Sequence, residues 1–206
     1  MRKGLLALSV TLAAGTVMAD EGMWMPSQLP DLAARLAAAG FKGDPAQLAD
    51  LARPPMNAVV KVGGATGAFV SPEGLGLTNH HVAFGVIQYN ARPERDLIAN
   101  GFIAADRDAE LPANPDYRVL VTTAFDKVTE LVLEGARGKR GRAYHDAVDR
   151  ATKALLAECE REVGYRCSVA NMHYGTDFYL VRQLELRDIR LVYAPPDAIG
   201  SYGDEI

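Results

Sequence analysis

Gly67-Ala68-Phe69-Val70-Ser71-Pro72-Glu73-Gly74-Leu75-Gly76-Leu77-Thr78-Asn79-His80-His81 is the stretch on which the fold turns. Two short apolar runs, at 67–70 and 75–78, flank Ser71-Pro72-Glu73-Gly74, which reads as strand, tight turn, strand. The second strand ends in an adjacent histidine pair, with His81 three residues after Thr78. A helical turn is expected to begin near Val82 and to run through Gly85 and Gln88. An imidazole held between a strand end and a helical turn is rigid. With an unperturbed pKa near 6.5, it can take a proton from a hydroxyl and return it to a leaving amine. The residues by themselves leave a general base and a structural histidine both open at His81. A metal site is a weaker reading. Neighbouring strand residues point to opposite faces, so His80 and His81 would not readily chelate one ion. His145 and His173 have no cysteine or carboxylate at ligand spacing.

Working outward, Ala58-Val59-Val60-Lys61-Val62 and the Gly63-Gly64 break precede this stretch. Short strands separated by glycine and proline turns predict a barrel or sandwich. Further N-terminal, residues 27–53 read as helical. Leu29, Leu32, Leu36 and Ala37 share a face and Gly40 stops the run. Asp44 before Pro45 is an N-cap for a second helix, which Arg53-Pro54-Pro55 ends. Downstream, residues 91–116 read as irregular and 117–123 as a strand. Residues 141–162 form the longest helix, with Ala147, Ala151, Leu155 and Ala157 along an amphipathic surface. Residues 178–193 return to β, with Arg187-Asp188 as a turn.

The composition narrows the class. With 206 residues, 49% hydrophobic and 23% charged, the chain can bury a real core and is not a disordered or disulfide-dense sequence. A formal charge of -4 argues against a nucleic-acid partner, which calls for clustered Lys and Arg. Met1-Arg2-Lys3 followed by an uncharged, mostly apolar stretch at 4–15, then Val17-Met18-Ala19, has the layout of a signal peptide cut after Ala19. That apolar run falls short of the roughly 20 residues that span a bilayer, so no membrane association is expected after cleavage. The expected domains are therefore 1–19 as signal peptide and 20–206 as the exported part, periplasmic or secreted. An oxidising compartment permits Cys159 and Cys167 to pair, fastening a helix end to the next strand. No glycine-flanked nucleophile elbow is present. Ser201 in Gly200-Ser201-Tyr202-Gly203 lacks the following glycine that would leave backbone amides free for an oxyanion hole. The chain thus offers a base without a nucleophile, and as it stands is expected to be inactive.

Taken together, several segments resemble the dipeptidyl-peptidase 7 and 11 family of bacterial exported serine peptidases. They are Asp20-Glu21-Gly22-Met23-Trp24, Met56-Asn57-Ala58-Val59-Val60, the run from Gly67 to Gln88, Asn100-Gly101-Phe102, Glu110-Leu111-Pro112, and Arg190-Leu191-Val192-Tyr193-Ala194-Pro195-Pro196 with Ile199-Gly200. Of these, Thr78-Asn79-His80-His81 with its surrounding glycines is the specific one. Val82 stands where members often carry a cysteine. The resemblance implies a mainly β fold with helices: a chymotrypsin-like double β-barrel peptidase, of which only the N-terminal barrel portion is expected here. It implies a serine-type dipeptidyl aminopeptidase, a hydrolase that releases dipeptides from the free N terminus of oligopeptides. His81 would be the triad base and His80 a neighbour with a packing or hydrogen-bonding role. The triad Asp and Ser would lie beyond Ile206. No metal or organic cofactor is implied, and the full-length protein is expected to be a homodimer. Two other readings remain: a fragment of an exported trypsin-like endopeptidase, and a short non-catalytic exported binding protein.

Overall fold

A computed structural model describes residues 23–201. The signal-peptide stretch and its cut after Ala19 lie outside the described residues. The helices are α1 (Ala33–Ala38), α2 (His80–Asn90), α3 (Leu97–Asn100), α4 (Thr129–Leu133), α5 (Gly141–Cys159) and α6 (Asp197–Gly200). The strands are β1 (Val59–Val62), β2 (Ala65–Phe69), β3 (Gly76–Thr78), β4 (Phe102–Ile103), β5 (Leu111–Pro112), β6 (Val119–Lys127), β7 (Tyr165–Met172), β8 (Asp177–Leu186), β9 (Arg190–Leu191) and β10 (Tyr193–Ala194).

Six strands form one antiparallel sheet in the order β3-β2-β1-β6-β8-β7. Two further pairs, β10 with β4 and β5 with β9, stand apart from it. The mainly β reading with helices therefore holds, and the sheet is a partial barrel whose order ends at β3 and β7. The Gly63-Gly64 break is the two-residue turn of the β1–β2 hairpin, with Val62 facing Ala65. The Ser71 turn closes β2 on β3. The amide of Val70 donates to the carbonyl of Leu75 at 2.8 Å, and the Ser71 hydroxyl accepts from the amides of Glu73 and Leu75. Alternation in β1 buries Val60 and Val62 while leaving Val59 and Lys61 outward.

Three apolar clusters hold the elements together. Val60, Val62 and Val119 pack under the sheet with Phe69 and Leu186. Val128, Val132 and Phe178 join α4 and β8 to the amphipathic face of α5 through Val148 and Leu155. Val86, Ile87, Leu97, Leu191 and Ala194 form the third cluster, beneath α2. Glu185, on β8, is a buried carboxylate that accepts from Arg118 at 2.8 Å and also meets Arg166 and Arg187.

Several expectations change in detail. The region 27–53 is mostly 3₁₀ turns, at Pro26–Leu32 and Pro45–Leu48, with only the short α1 between them. Pro30, inside the first of these, supplies no amide, which suits a tight turn better than a long α-helix. Asp44 does cap the second, its Oδ1 accepting from the amide of Ala46 at 2.9 Å. The stretch 91–116 is not structureless: it contains α3, capped by Asp96 whose Oδ1 accepts from the amides of Ile98 and Ala99, and β4 and β5, two-residue strands defined by their distant partners β10 and β9. The long helix ends at Cys159 rather than at 162. There the disulfide forms as anticipated, tying the last residue of α5 to β7 through Cys167 with Cα atoms 6.2 Å apart.

Candidate active site at the start of helix α2

The β3 strand hands the chain directly to α2. The helix begins at His80 itself and not near Val82, so both histidines sit in its first turn instead of on a strand end. The reason is local. Asn79 is extended, and its carbonyl accepts from the amides of Val82 and Ala83, which starts the helical ladder two residues early. Adjacent helical residues are separated by about 100° around the axis, so the pair still diverges, though not as two faces of a strand.

That divergence decides what each ring does. His81, Gly85, Gln88 and Tyr89 are exposed along one side of α2, at the spacing of a single helical stripe. Val86, Ile87 and Asn90 are buried on the other. A Cβ placed on Gly85 would find nothing within 4 Å, so the surface next to His81 is open. The stripe of His81 ends at the sheet edge, where Val70, Leu75 and Leu77 are also exposed.

The buried side anchors the helix. Asn90 Nδ2 donates to the carbonyl of Val86 at 3.0 Å and to that of Pro112 at 2.9 Å, joining the end of α2 to β5. A buried amide satisfied on both sides is a specific lock, since losing either partner would strand a desolvated donor. At the other end the Tyr117 hydroxyl donates to the carbonyl of Val82 at 3.2 Å, and burial pushes its pKa above the usual tyrosine value. Tyr117 contacts both the cluster under the sheet and the cluster under α2, so one ring couples the two.

His80 points differently from His81. Both of its ring nitrogens are buried without a hydrogen-bond partner among the described residues, and its ring lies 5.8 Å from that of Phe84 one turn on. Sequence reasoning gave it only a generic neighbour role. What it touches comes from far along the chain, at Gly200, and no local pattern reports that contact.

The remaining candidates are placed elsewhere. His145 lies on α5, and His173 Nδ1 pairs with Asp177 Oδ2 at 3.0 Å in the β7–β8 turn, so a carboxylate does stand beside His173, four residues on, where the sequence reading expects none. The Ser201 hydroxyl donates to Asp197 Oδ1 at 2.7 Å across α6. No group of three or more His, Cys, Asp or Glu side chains converges among the described residues. Two open depressions, of about 380 and 340 Å³, run along β1, and neither is lined by His81. No described helix is long and apolar enough to cross a membrane.

This partial antiparallel barrel, leading from an edge strand into a histidine-bearing helix, has a counterpart in a solved bacterial peptidase. The peptidase S46 family matches residues 19–206, and the chain belongs to that family. It is 42% identical over its whole length to an Asp/Glu-specific dipeptidyl-peptidase of Shewanella putrefaciens, covering 28% of that protein. It is 33% identical over 97% of its length to a dipeptidyl-peptidase 7 of Porphyromonas endodontalis, covering 25% of it. The crystal structure of Porphyromonas endodontalis DPP11 in complex with the dipeptide Arg-Glu superposes with a TM-score of 0.77 at 28% identity. The match covers 89% of this chain and 27% of that one. The chain therefore spans about a quarter of the length of the relatives it matches.

Proposed function

We propose that this chain carries the general base of an exported serine-type dipeptidyl-peptidase, and that the base is His81. The observation that carries the reading is the geometry of α2. The helix begins at the histidine pair, its buried side is locked by Ile87 and Asn90, and His81 is left exposed beside the open surface at Gly85. An imidazole on an exposed stripe can accept the proton of an attacking hydroxyl and then donate it to the departing amine, and the locked helix fixes the backbone from which the ring acts. The hydroxyl would attack the peptide carbonyl to form an acyl-enzyme, and water would release the dipeptide. The nucleophile and the remaining triad member would come from the part of the relatives' length that these 206 residues do not span. The dipeptidyl-peptidase names of the relatives support dipeptides, taken from the free N terminus of oligopeptides, as the product class. An acidic residue at the second substrate position is the preference to test first, since the relative at 42% identity is named Asp/Glu-specific. Export with cleavage after Ala19 belongs to the same reading, on the basic start, the apolar stretch at 4–15 and the small residues Val17 and Ala19. A homodimer of the full-length protein completes the proposal.

The test uses the full-length protein and fluorogenic dipeptidyl substrates. Turnover is expected with a free substrate N terminus and not with a blocked one. His81→Ala is expected to lower kcat by roughly 10²–10⁴-fold. Normal turnover in that variant would remove His81 from the mechanism.

A further inference from the structure

Gly200 sits in α6, and it is not among the glycines with a left-handed backbone. Its φ and ψ would accept any L residue, so the reason for a glycine there must be space. A Cβ at Gly200 would fall 2.4 Å from Cδ2 of His80, 2.5 Å from Cγ and 2.8 Å from Nε2. Cγ is the root of the ring and cannot swing aside alone, so any side chain at 200 must displace the whole imidazole. The ring has little room to go: Phe84 lies on one side, and both nitrogens are already sealed from solvent. No hydrogen bond to a described residue directs it. The contact is one of shape.

The other side of the same joint is equally tight. Gly101, with φ +71°, brings its backbone against the carbonyl of Ala194 and the ring of Pro196, where a Cβ would fall 2.7–2.8 Å away. The segment from β10 through α6 is thereby clamped between α3 and the first turn of α2. His80 is the member of the clamp peptide-bonded to His81.

We infer that His80 is a positioning residue: its imidazole, seated on the bare backbone of Gly200, sets the first turn of α2 and with it the place of the His81 ring. The inference rests on the reading of His81 as the base. With Phe84 beside it and both nitrogens buried, the ring has little room to rotate away, so the displacement falls on the backbone at 80 and is passed to the next residue. A misplacement on the order of 1 Å in catalytic geometry can cost on the order of 100-fold in rate.

The test is a size-compensation cycle in the full-length protein with a dipeptidyl substrate. Gly200→Ala is expected to lower kcat about tenfold or more with KM within about twofold, and to displace the acidic limb of the kcat/KM pH profile. His80→Ala removes the ring and is expected to cost less. In the double variant His80→Ala with Gly200→Ala the clash is gone, so kcat and the pH profile are expected to return to those of His80→Ala alone. A Gly200→Ala enzyme within twofold of the parent would overturn the inference, as would a double variant as slow as the product of the two single losses. Should Gly200→Ala fail to fold, a folded and active double variant supports the inference and an unfolded one overturns it. His81→Ala is run alongside: full turnover there defeats the base reading itself, whereas an inactive His81→Ala beside a normal Gly200→Ala defeats only the role of His80.

Discussion

The two ends of this molecule are built by different means. At one end, β6, β7, β8 and α5 are long elements of 8 to 19 residues, joined by extended ladders and by the Cys159–Cys167 bond. At the other, the corner that holds His81 is assembled from pieces of two to four residues around α2: α3, β4, β5, β9, β10 and α6. Long elements tolerate a local change because many ladder bonds and side chains share the load. Two-residue strands such as β4, β5, β9 and β10 exist only where distant segments meet. The candidate site therefore stands on the part of the fold that depends most on tertiary contact. Changes at the two ends should separate cleanly in their effects on turnover.

The largest expected effect lies under the site. Ile87 is fully buried in the cluster beneath α2, and Ile87→Ala should cost about 2–5 kcal/mol in a urea unfolding experiment on the full-length protein. It should also lower kcat, because the helix that carries His81 loses its floor. Replacing both Cys159 and Cys167 by serine should cost about 2–3 kcal/mol for so short a loop, yet leave kcat and KM of the folded protein unchanged. A change in KM there would break the separation of the two ends. Next is Gly101→Ala, where a positive φ and backbone contacts both oppose a side chain. We expect about 1–3 kcal/mol, together with slower turnover, since this position clamps α6 onto α3. The smallest effect is a pH dependence at Glu185. Burial alone would raise its pKa, but hydrogen bonds from Arg166 and Arg118, with the charges of Arg166 and Arg187, hold it below the ordinary carboxylate range. A carboxylate depressed in the folded state stabilises the protein fully above its unfolded pKa, and that contribution is lost as pH falls through the depressed value. Glu185→Gln should thus flatten the acid limb of stability while leaving neutral turnover intact, which acid-induced unfolding followed by circular dichroism would measure.

The same contrast explains what could be read in advance. The hairpin through Ser71, the strand at 58–62, the amphipathic long helix and its link to the next strand were all legible. Each is written in a short window as turn chemistry, alternation or a 3.6-residue stripe. The helix α2 starts two residues before the position that the sequence suggests, because the Asn79 carbonyl, not a side-chain cap, begins the ladder. The stretch 91–116 reads as irregular since β4 and β5 owe their form to β10 and β9 some 80 to 90 residues on, while α3 is only a single turn behind its Asp96 cap.

For function the division falls in the same place. From the residues alone one learns that a histidine follows a strand–turn–strand, that the segment is specific enough to resemble one peptidase family, and that no nucleophile elbow accompanies it. These are properties of neighbours along the chain, fixed by side-chain size, turn preference and charge. Only the tertiary structure decided which of two adjacent imidazoles faces outward and which is wedged inward. That choice depends on the angular phase of α2 against its core and on a glycine 120 residues away that leaves room for a ring. Contacts between segments so distant leave no periodic trace in sequence, because each side of the contact satisfies its own local rules without reference to the other.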